Sequence, residues 1–266
     1  MKPADFAKHK DIIQFITQKN EVSVRELAER FYLSEATVRR TLTKLENVGY
    51  VVRFHGGARL ADPMETSRVK RRSLLHVAEK DAIAAFAAGL VQDGATILMM
   101  GGSSVAAMCP HLQGKNITII TNSIVIIQEM AWMTNCKVIL LAGVLNPTEM
   151  EVRGALTEHS MARLHAGLAF FGTSGLSLQH GVLTDDPNAI GTYEKCVSIS
   201  EKTYVLADHT KFTNPAGTTA VFTLDERINL ITDDKAPPAV IKALKARGVS
   251  VDVVGNNEPA SGEAHS

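Results

Sequence analysis

The stretch "SVRELAERFYLSEATVRRTLTKLENVGYVVRFHGGA", Ser23–Ala58, decides the fold of the first part of this chain. Ser23 followed by Glu26 is the pattern of a capping box, in which hydroxyl and carboxylate each satisfy a free amide at a helix start. Val24, Leu27, Ala28 and Phe31 recur at helical spacing and predict one apolar stripe. Tyr32 and Leu33 make a short turn, and Ser34 caps the next helix. There Val38, Leu42 and Leu45 fall at i, i+4 and i+7 and bury one face. Ala36, Arg40 and Thr43 then point the opposite way, flanked by Thr37, Arg39 and Lys44. Glu35 is placed nearer the buried side, so the outer face reads as small and basic with no acid at its centre. Gly49 ends the helix, Val51, Val52 and Phe54 predict a strand, and Gly56-Gly57 predicts a hairpin turn with Arg53, His55 and Arg59 around it.

Two short helices, a tight turn and a basic second helix make a helix-turn-helix, and a hairpin after it makes a wing. An earlier helix is expected from Phe6, Ile12, Ile13, Phe15 and Ile16, ending near Asn20. A paired arginine on a helix can also be a solvated face and nothing more. The two caps and the basic wing favour double-stranded DNA as the partner, with Ser23, Ser34, Ala36, Thr37, Arg39, Arg40, Thr43, Lys44, Arg53, His55, Gly56 and Gly57 as the candidate contacts. Charge is distributed in the same sense. Residues 1–60 hold 11 Lys/Arg against 7 Asp/Glu, and residues 81–266 hold 12 against 18, although the whole chain is neutral.

The chain has 266 residues, 45% of them hydrophobic, enough for one large domain or two ordinary ones and for a substantial core. No apolar run approaches the ~18 residues of a membrane span, and the start "MKPADFAKHK" has no signal-peptide core, so the expectation is a cytoplasmic protein with no membrane partner. Cys109, Cys136 and Cys196 are scattered, no Cys/His spacing suits a metal, and no cofactor motif occurs; neither disulfide, metal site nor cofactor is expected.

Residues 59–80 show little apolar periodicity and read as a linker; its basic run, Arg68–Ser73, is either solvated or placed beside phosphates. From Ile83, Phe86, Ala87 and Leu90 onward the pattern changes. "ATILMM", "ITIIT", "KVILLA", "LAFFG", "TYVLAD" and "VSVDVV" read as strands, with "SSVAAMCPHL", "SIVIIQEMAW" and "AIGTYEKCVSIS" as helices between them. Continuous apolar strands separated by helices predict an α/β domain with a largely parallel sheet. Ligands in such sheets bind beyond the carboxyl ends of the strands.

Four strand ends carry polar groups: Gly101, Gly102, Ser103 and Ser104; Thr121, Asn122 and Ser123; Gly172, Thr173, Ser174 and Gly175; Asp208, His209 and Lys211. Each taken alone is equally well met by ordinary turn chemistry. Together they could hold a small hydroxylated anion, with Lys211 supplying a point charge for phosphate.

The head resembles that of the DeoR/GlpR family of bacterial transcription repressors, through Ser34, Thr37, Arg39, Arg40, Leu42, Leu45, Arg53, His55, Gly56 and Gly57. The resemblance continues through the body, at Gly102, Ser103, Ser104, Thr121, Asn122, Gly172, Gly175, Glu194, Asp208, Lys211 and Phe212, and runs from about Ile12 to about Val254. It implies an effector domain resembling ribose-5-phosphate isomerase, phosphorylated sugars as effectors, and Glu194 as a further effector contact. Three positions depart from the family. Thr41 stands where relatives carry aspartate, which would free the arginines; Met100 replaces an aspartate at the ligand edge; Val144 follows Gly143 in place of a second glycine.

The expected architecture is a winged helix-turn-helix over residues 1–58, a linker over 59–80, an α/β effector-binding domain over 81–255 and a disordered tail over 256–266. The expected function is a DNA-binding repressor of carbohydrate genes, relieved by a small phosphorylated sugar and acting as a homo-oligomer, dimer or tetramer, on paired half-sites. No catalytic residue is assigned, although Glu194, Asp208 and Lys211 are of types an isomerase would use. A sugar-phosphate isomerase with a vestigial head and a regulator that senses no ligand are the alternatives.

Overall fold

The computed structural model describes residues 12, 15–16, 19–47, 49–61, 67–213 and 217–255. The expected tail over 256–266 and most of the expected first helix lie outside them, although Ile12, Phe15 and Ile16 are helical and buried. The chain divides into two compact units, Met1–Val77 and Ala78–Ser266.

In the first unit β1 (Glu21–Ser23) leads into α1 (Val24–Phe31) and α2 (Glu35–Asn47), followed by β2 (Val51–Phe54) and β3 (Gly57–Leu60). The three strands form one antiparallel sheet in the order β1-β3-β2. Ser23 Oγ accepts the Glu26 amide at 3.0 Å, and Ser34 Oγ accepts the Thr37 amide at 3.2 Å, so each hydroxyl satisfies one orphan donor of its helix. The Glu26 carboxylate pairs with Lys19 Nζ at 3.1 Å. Val24, Leu27, Val38, Leu42 and Leu45 are buried together with Tyr50, Val51 and Ala58 in one core. A Cβ at Gly57 would overlap the Val22 carbonyl oxygen, so the wing closes on β1 only with glycine there.

The basic run expected as linker is helical. α3 (Arg68–Ser73) buries Val69, and Leu74 joins the core of the first unit. Its apolar content is too small to show as periodicity, but one valine turned inward is enough to seat six residues.

The second unit begins in α4 (Val77–Gly89), upstream of the expected boundary at 81. Next come β4 (Thr96–Met99), α5 (Ser103–Ala106), β5 (Ile117–Thr121), α6 (Ile124–Met130) and β6 (Cys136–Leu140). A hairpin, β7 (Val144–Asn146) with β8 (Glu151–Arg153), precedes α7 (Ala155–Met161) and β9 (Ala166–Phe171). Then follow β10 (Gly175–Ser177), β11 (Gly181–Thr184), α8 (Ile190–Ser198), β12 (Ser200–Leu206), α9 (Thr210–Thr213), β13 (Thr219–Phe222), β14 (Ile228–Asp233), α10 (Pro238–Ala246) and β15 (Ser250–Val254).

Seven strands form one sheet in the order β15-β14-β12-β9-β4-β5-β6, and every pair in it is parallel. One of them, β14, is absent from the sequence expectation, as are the small antiparallel sheet β10-β11-β13 and the β7–β8 hairpin. Two apolar clusters cover the two faces: Leu98, Ile120, Phe171 and Val205 belong to one, and Ile97, Met99, Ile119 and Phe170 to the other. From β4 the chain steps outward to β5 and β6, then returns to lay β9 on the other side of β4 and continues to β12, β14 and β15. The switch in direction therefore lies between β4 and β9, and the loops that leave those two strands face each other there.

Candidate DNA-binding face and ligand crevice

In α2 the helical geometry puts Arg39, Arg40, Ala36 and Lys44 on the exposed side, with Val38, Leu42 and Leu45 beneath. Two details differ from the sequence expectation. Glu35 is exposed rather than turned inward, and its carboxylate pairs with Arg39 Nη2 at 3.2 Å, since residues four apart on a helix are neighbours. Thr41 is 3% exposed, on the inner side between Val38 and Leu45, so the residue there does not face the arginine pair. Arg40 Nη2 donates to Thr37 Oγ1 at 3.4 Å.

The wing arginine is held firmly. Arg53 Nε donates to Glu46 Oε2 at 2.7 Å, its Nη1 donates to Thr43 Oγ1 at 2.8 Å, and its amide donates to Glu46 Oε1 at 3.1 Å. The Glu46 carboxyl is held below its ordinary range by these Arg53 hydrogen bonds. His55 and Gly56 are exposed at the tip. A groove of about 420 Å³ between α2 and the wing is walled by Arg39, Glu46, Arg53, His55 and Gly56.

In the second unit the glycine turns after β4 and β9 meet at the switch point. A Cβ on Gly102 would lie 3.7 Å from Gly172 Cα, ordinary contact distance. Ser103 and Ser104 follow on α5, 7% and 5% exposed. Thr173 Oγ1 donates within its own turn, toward the carbonyls of Gly175 at 2.7 Å and Leu183 at 3.0 Å, and Ser174 Oγ lies 3.4 Å from Asp185.

Thr121, Asn122 and Ser123, expected as contacts, are 0–1% exposed and serve the loops instead. Asn122 Oδ1 accepts the Gly101 amide at 2.9 Å while its Nδ2 donates to the Val152 carbonyl at 3.0 Å. Thr121 Oγ1 donates to the Met99 carbonyl at 2.6 Å, and Ser123 Oγ caps α6 through the Ile126 amide. These three residues fix the positions of the first glycine turn and of β8.

Met100 is buried in the core, as its apolar chemistry requires, but the edge does not lack a carboxylate. Glu151, delivered by β8, lies directly over Gly101: a Cβ on that glycine would overlap Glu151 Oε2. Glu151 pairs with Arg153, which also pairs with Asp186, and the Glu151 and Arg153 side chains are 7% and 11% exposed. Burial by itself would lower the Arg153 guanidinium, but the two carboxylates outweigh it and hold the arginine above its ordinary value. The signal in the sequence was "EVR", opposite charges two apart on one face of a strand.

Further along the same edge, Asp208 is 1% exposed, accepts the Thr210 amide at 3.0 Å and faces Lys80 Nζ at 3.9 Å. Asp233 accepts the His209 amide at 2.7 Å and lies 3.0 Å from His209 Nδ1. Lys235 pairs with Glu79, which raises the lysine above its ordinary value. The buried pair Glu79-Lys80 at the start of α4 thus reaches the ends of β14 and β12, a connection no local pattern announces. Lys211 is half-buried on α9, and Glu194 is exposed on α8. Among the described residues no group of His, Cys, Asp and Glu could hold a metal ion, and no helix is long and apolar enough to cross a membrane.

Comparison with known proteins gives one answer over both units. Residues 8–64 match the family described as the DeoR-like helix-turn-helix domain, and residues 75–234 match the DeoR C terminal sensor domain. The HTH-type transcriptional regulator GolR of Listeria innocua is 31% identical over 93% of this chain and 98% of its own length. The putative aga operon transcriptional repressor of Escherichia coli O157:H7 is 26% identical over 93% of each chain, and the lactose phosphotransferase system repressor of Staphylococcus aureus is 27% identical over 76% of this chain and 81% of its own. A ribose 5-phosphate isomerase A structure from Methanocaldococcus jannaschii aligns at 16% identity over 50% of this chain and 53% of that one, with a TM-score of 0.36, too slight to bear on the reading. Basic helix, wing, parallel sheet and both family matches agree: the chain belongs to the DeoR family of transcriptional regulators.

Proposed function

We propose that this regulator represses carbohydrate genes by holding operator DNA through α2 and the wing, and releases it when a small phosphorylated sugar enters the crevice between the β4 and β9 turns. The observation that carries the DNA half is the exposed face of α2, where Arg39 and Arg40 stand opposite the buried Val38, Leu42 and Leu45. Arg40 is the better candidate for base readout. Arg39 and Arg53 each give a nitrogen to a carboxylate, which orients them for phosphates along the groove. Ser34, Ala36, Thr37, Thr43, Lys44, His55 and Gly56 complete the surface; Gly57, expected as a contact, is buried against β1 and shapes the wing, and Ser23 acts as a cap.

The effector half rests on the meeting of Gly102 with Gly172 at the switch point. Glycines there let backbone amides approach a ligand closely, Ser103, Ser104 and Ser174 supply hydroxyls, and Lys211 with Asp208 supplies charge further along the edge. Thr121, Asn122 and Ser123 act from behind by fixing the loop. The names of the aga operon and lactose phosphotransferase system repressors support sugars as the effector class. Both family matches support regulation as the function, and a homo-oligomer suits paired half-sites.

The test of the DNA half uses duplexes selected by the protein from a random pool. Arg40→Ala should weaken the selected duplex by about 1–3 kcal/mol, roughly 5- to 150-fold, and relax specificity at one position. Wild-type affinity should also fall steeply with salt. Retained affinity and specificity in Arg40→Ala would remove α2 from the interface.

A further inference from the structure

Strand β6, Cys136–Leu140, ends the seven-stranded sheet and is hydrogen-bonded to β5 alone. An edge strand offers a row of outward backbone donors and acceptors, and proteins normally blunt it with proline, bulges or charge. β6 contains no proline, its register with β5 runs without a shift, and Lys137 is its one charge. None of its five residues is buried. Large apolar side chains stand exposed at both of its ends: Trp132, 88% exposed, before it, and Leu140 at its last position with Val144, 71% exposed, and Leu145 after it.

We infer that β6 is the seam of a homodimer, in which it pairs antiparallel with the same strand of a second copy about a two-fold axis through Val138. A two-fold axis at a strand edge reverses the partner's direction, so the contact is isologous and closes after two copies. A five-residue strand overlaps itself completely only about its middle residue, which here is Val138. That register sets Cys136 against the partner's Leu140 and Lys137 against the partner's Ile139, so no lysine meets a lysine. The same operation carries the region of Trp132, six residues before the axis, toward the partner's Val144, six residues after it. A foreign strand would use one flank or the other. A second copy covers both apolar flanks at once, which is why the occupant is this chain itself. The inference concerns the second unit alone and holds independently of the operator and the effector.

The test is mass in solution on the full chain at tens of micromolar, by sedimentation equilibrium. Wild type should have at least twice the 28.7 kDa of one chain, and Trp132→Glu with Val144→Glu should halve that mass while the far-ultraviolet circular dichroism is unchanged. A second variant avoids any loss of folding: Val138→Cys with Cys136→Ser should form a covalent dimer under mild oxidation, because facing antiparallel residues lie within the ~4.5–5.5 Å between Cα atoms that a disulfide spans. A wild-type mass of one chain, or a wild-type mass retained in the double glutamate variant, overturns the seam. Failure of the Val138→Cys chain to cross-link overturns the register.

Discussion

Replacing Gly101 by alanine tests how Glu151 packs over the first glycine turn, in a way the structure makes quantitative. The backbone at Gly101 is not in the left-handed region, so alanine meets no dihedral strain there. The obstacle is the Glu151 carboxylate, into which the new methyl would project. Glu151 must then leave, and it leaves a site where it is 7% exposed and paired with Arg153. Arg153 keeps Asp186, but the displaced carboxylate loses its guanidinium without gaining full hydration. Breaking a buried ion pair by moving one partner costs about 3–5 kcal/mol. With partial rehydration at the rim, about 3 kcal/mol is expected, and for a unit of this size that lowers the melting temperature by roughly 6–12 °C. Glu151→Ala removes the obstacle, so Gly101→Ala added to Glu151→Ala should cost under about 0.5 kcal/mol, giving a coupling of about 2.5 kcal/mol. The assay is differential scanning calorimetry of the second unit's transition in the four proteins of the cycle. If Gly101→Ala costs as much without Glu151 as with it, the glycine is required for another reason and Glu151 does not bar a side chain there.

Leu42 is 1% exposed at the centre of the head core, so Leu42→Ala should cost about 2–5 kcal/mol; hydrogen exchange should show lost protection in α1 and α2 with the body unchanged. The Arg53 hydrogen bonds depress the Glu46 carboxyl, so they stabilise the head above the unfolded value of about 4.3 and that contribution is lost as pH falls through the lower folded value. Because both side chains are more than a third exposed, the contribution is about 0.5 kcal/mol after screening, and Arg53→Met should flatten the head's stability between pH 5 and pH 3 by about that amount, read by chemical denaturation.

The head was legible because its signals are local. Serine caps, i to i+7 spacing and paired glycines each act within a few residues, and Val38, Leu42 and Leu45 are buried where the periodicity put them. Side-chain length and exact helical spacing decide the two departures there. Glu35 is long enough to reach Arg39, and Thr41 lies three residues after Val38 and four before Leu45, a spacing that marks the inner side. In the body the apolar strands were legible, whereas β14 was hidden by Asn229, Thr232 and Asp233. Asn229 is accommodated by donating to the Thr203 carbonyl, and Asp233 by accepting backbone amides from His209 and Lys235 at the strand end. The glycine turns were visible in the sequence, but not which two of them meet. That depends on strand order, and strand order is set by the long return from β6 to β9. The Glu151-Arg153-Asp186 cluster was out of reach for the same reason, since it joins a short hairpin to a loop 33 residues beyond Arg153.

On the function proposed above, one chain couples operator release to a phosphorylated sugar held at the switch point. The most direct measurement is fluorescence anisotropy of the full chain on its selected duplex, titrated with phosphorylated sugars and with the same sugars lacking phosphate. At least one phosphorylated sugar should weaken the complex by about 10-fold or more, a coupling near 1.4 kcal/mol, while its unphosphorylated parent leaves it unchanged and Lys211→Ala removes the response without weakening DNA binding. A duplex affinity that no phosphorylated sugar alters, or that parent and phosphorylated forms alter equally, contradicts the account.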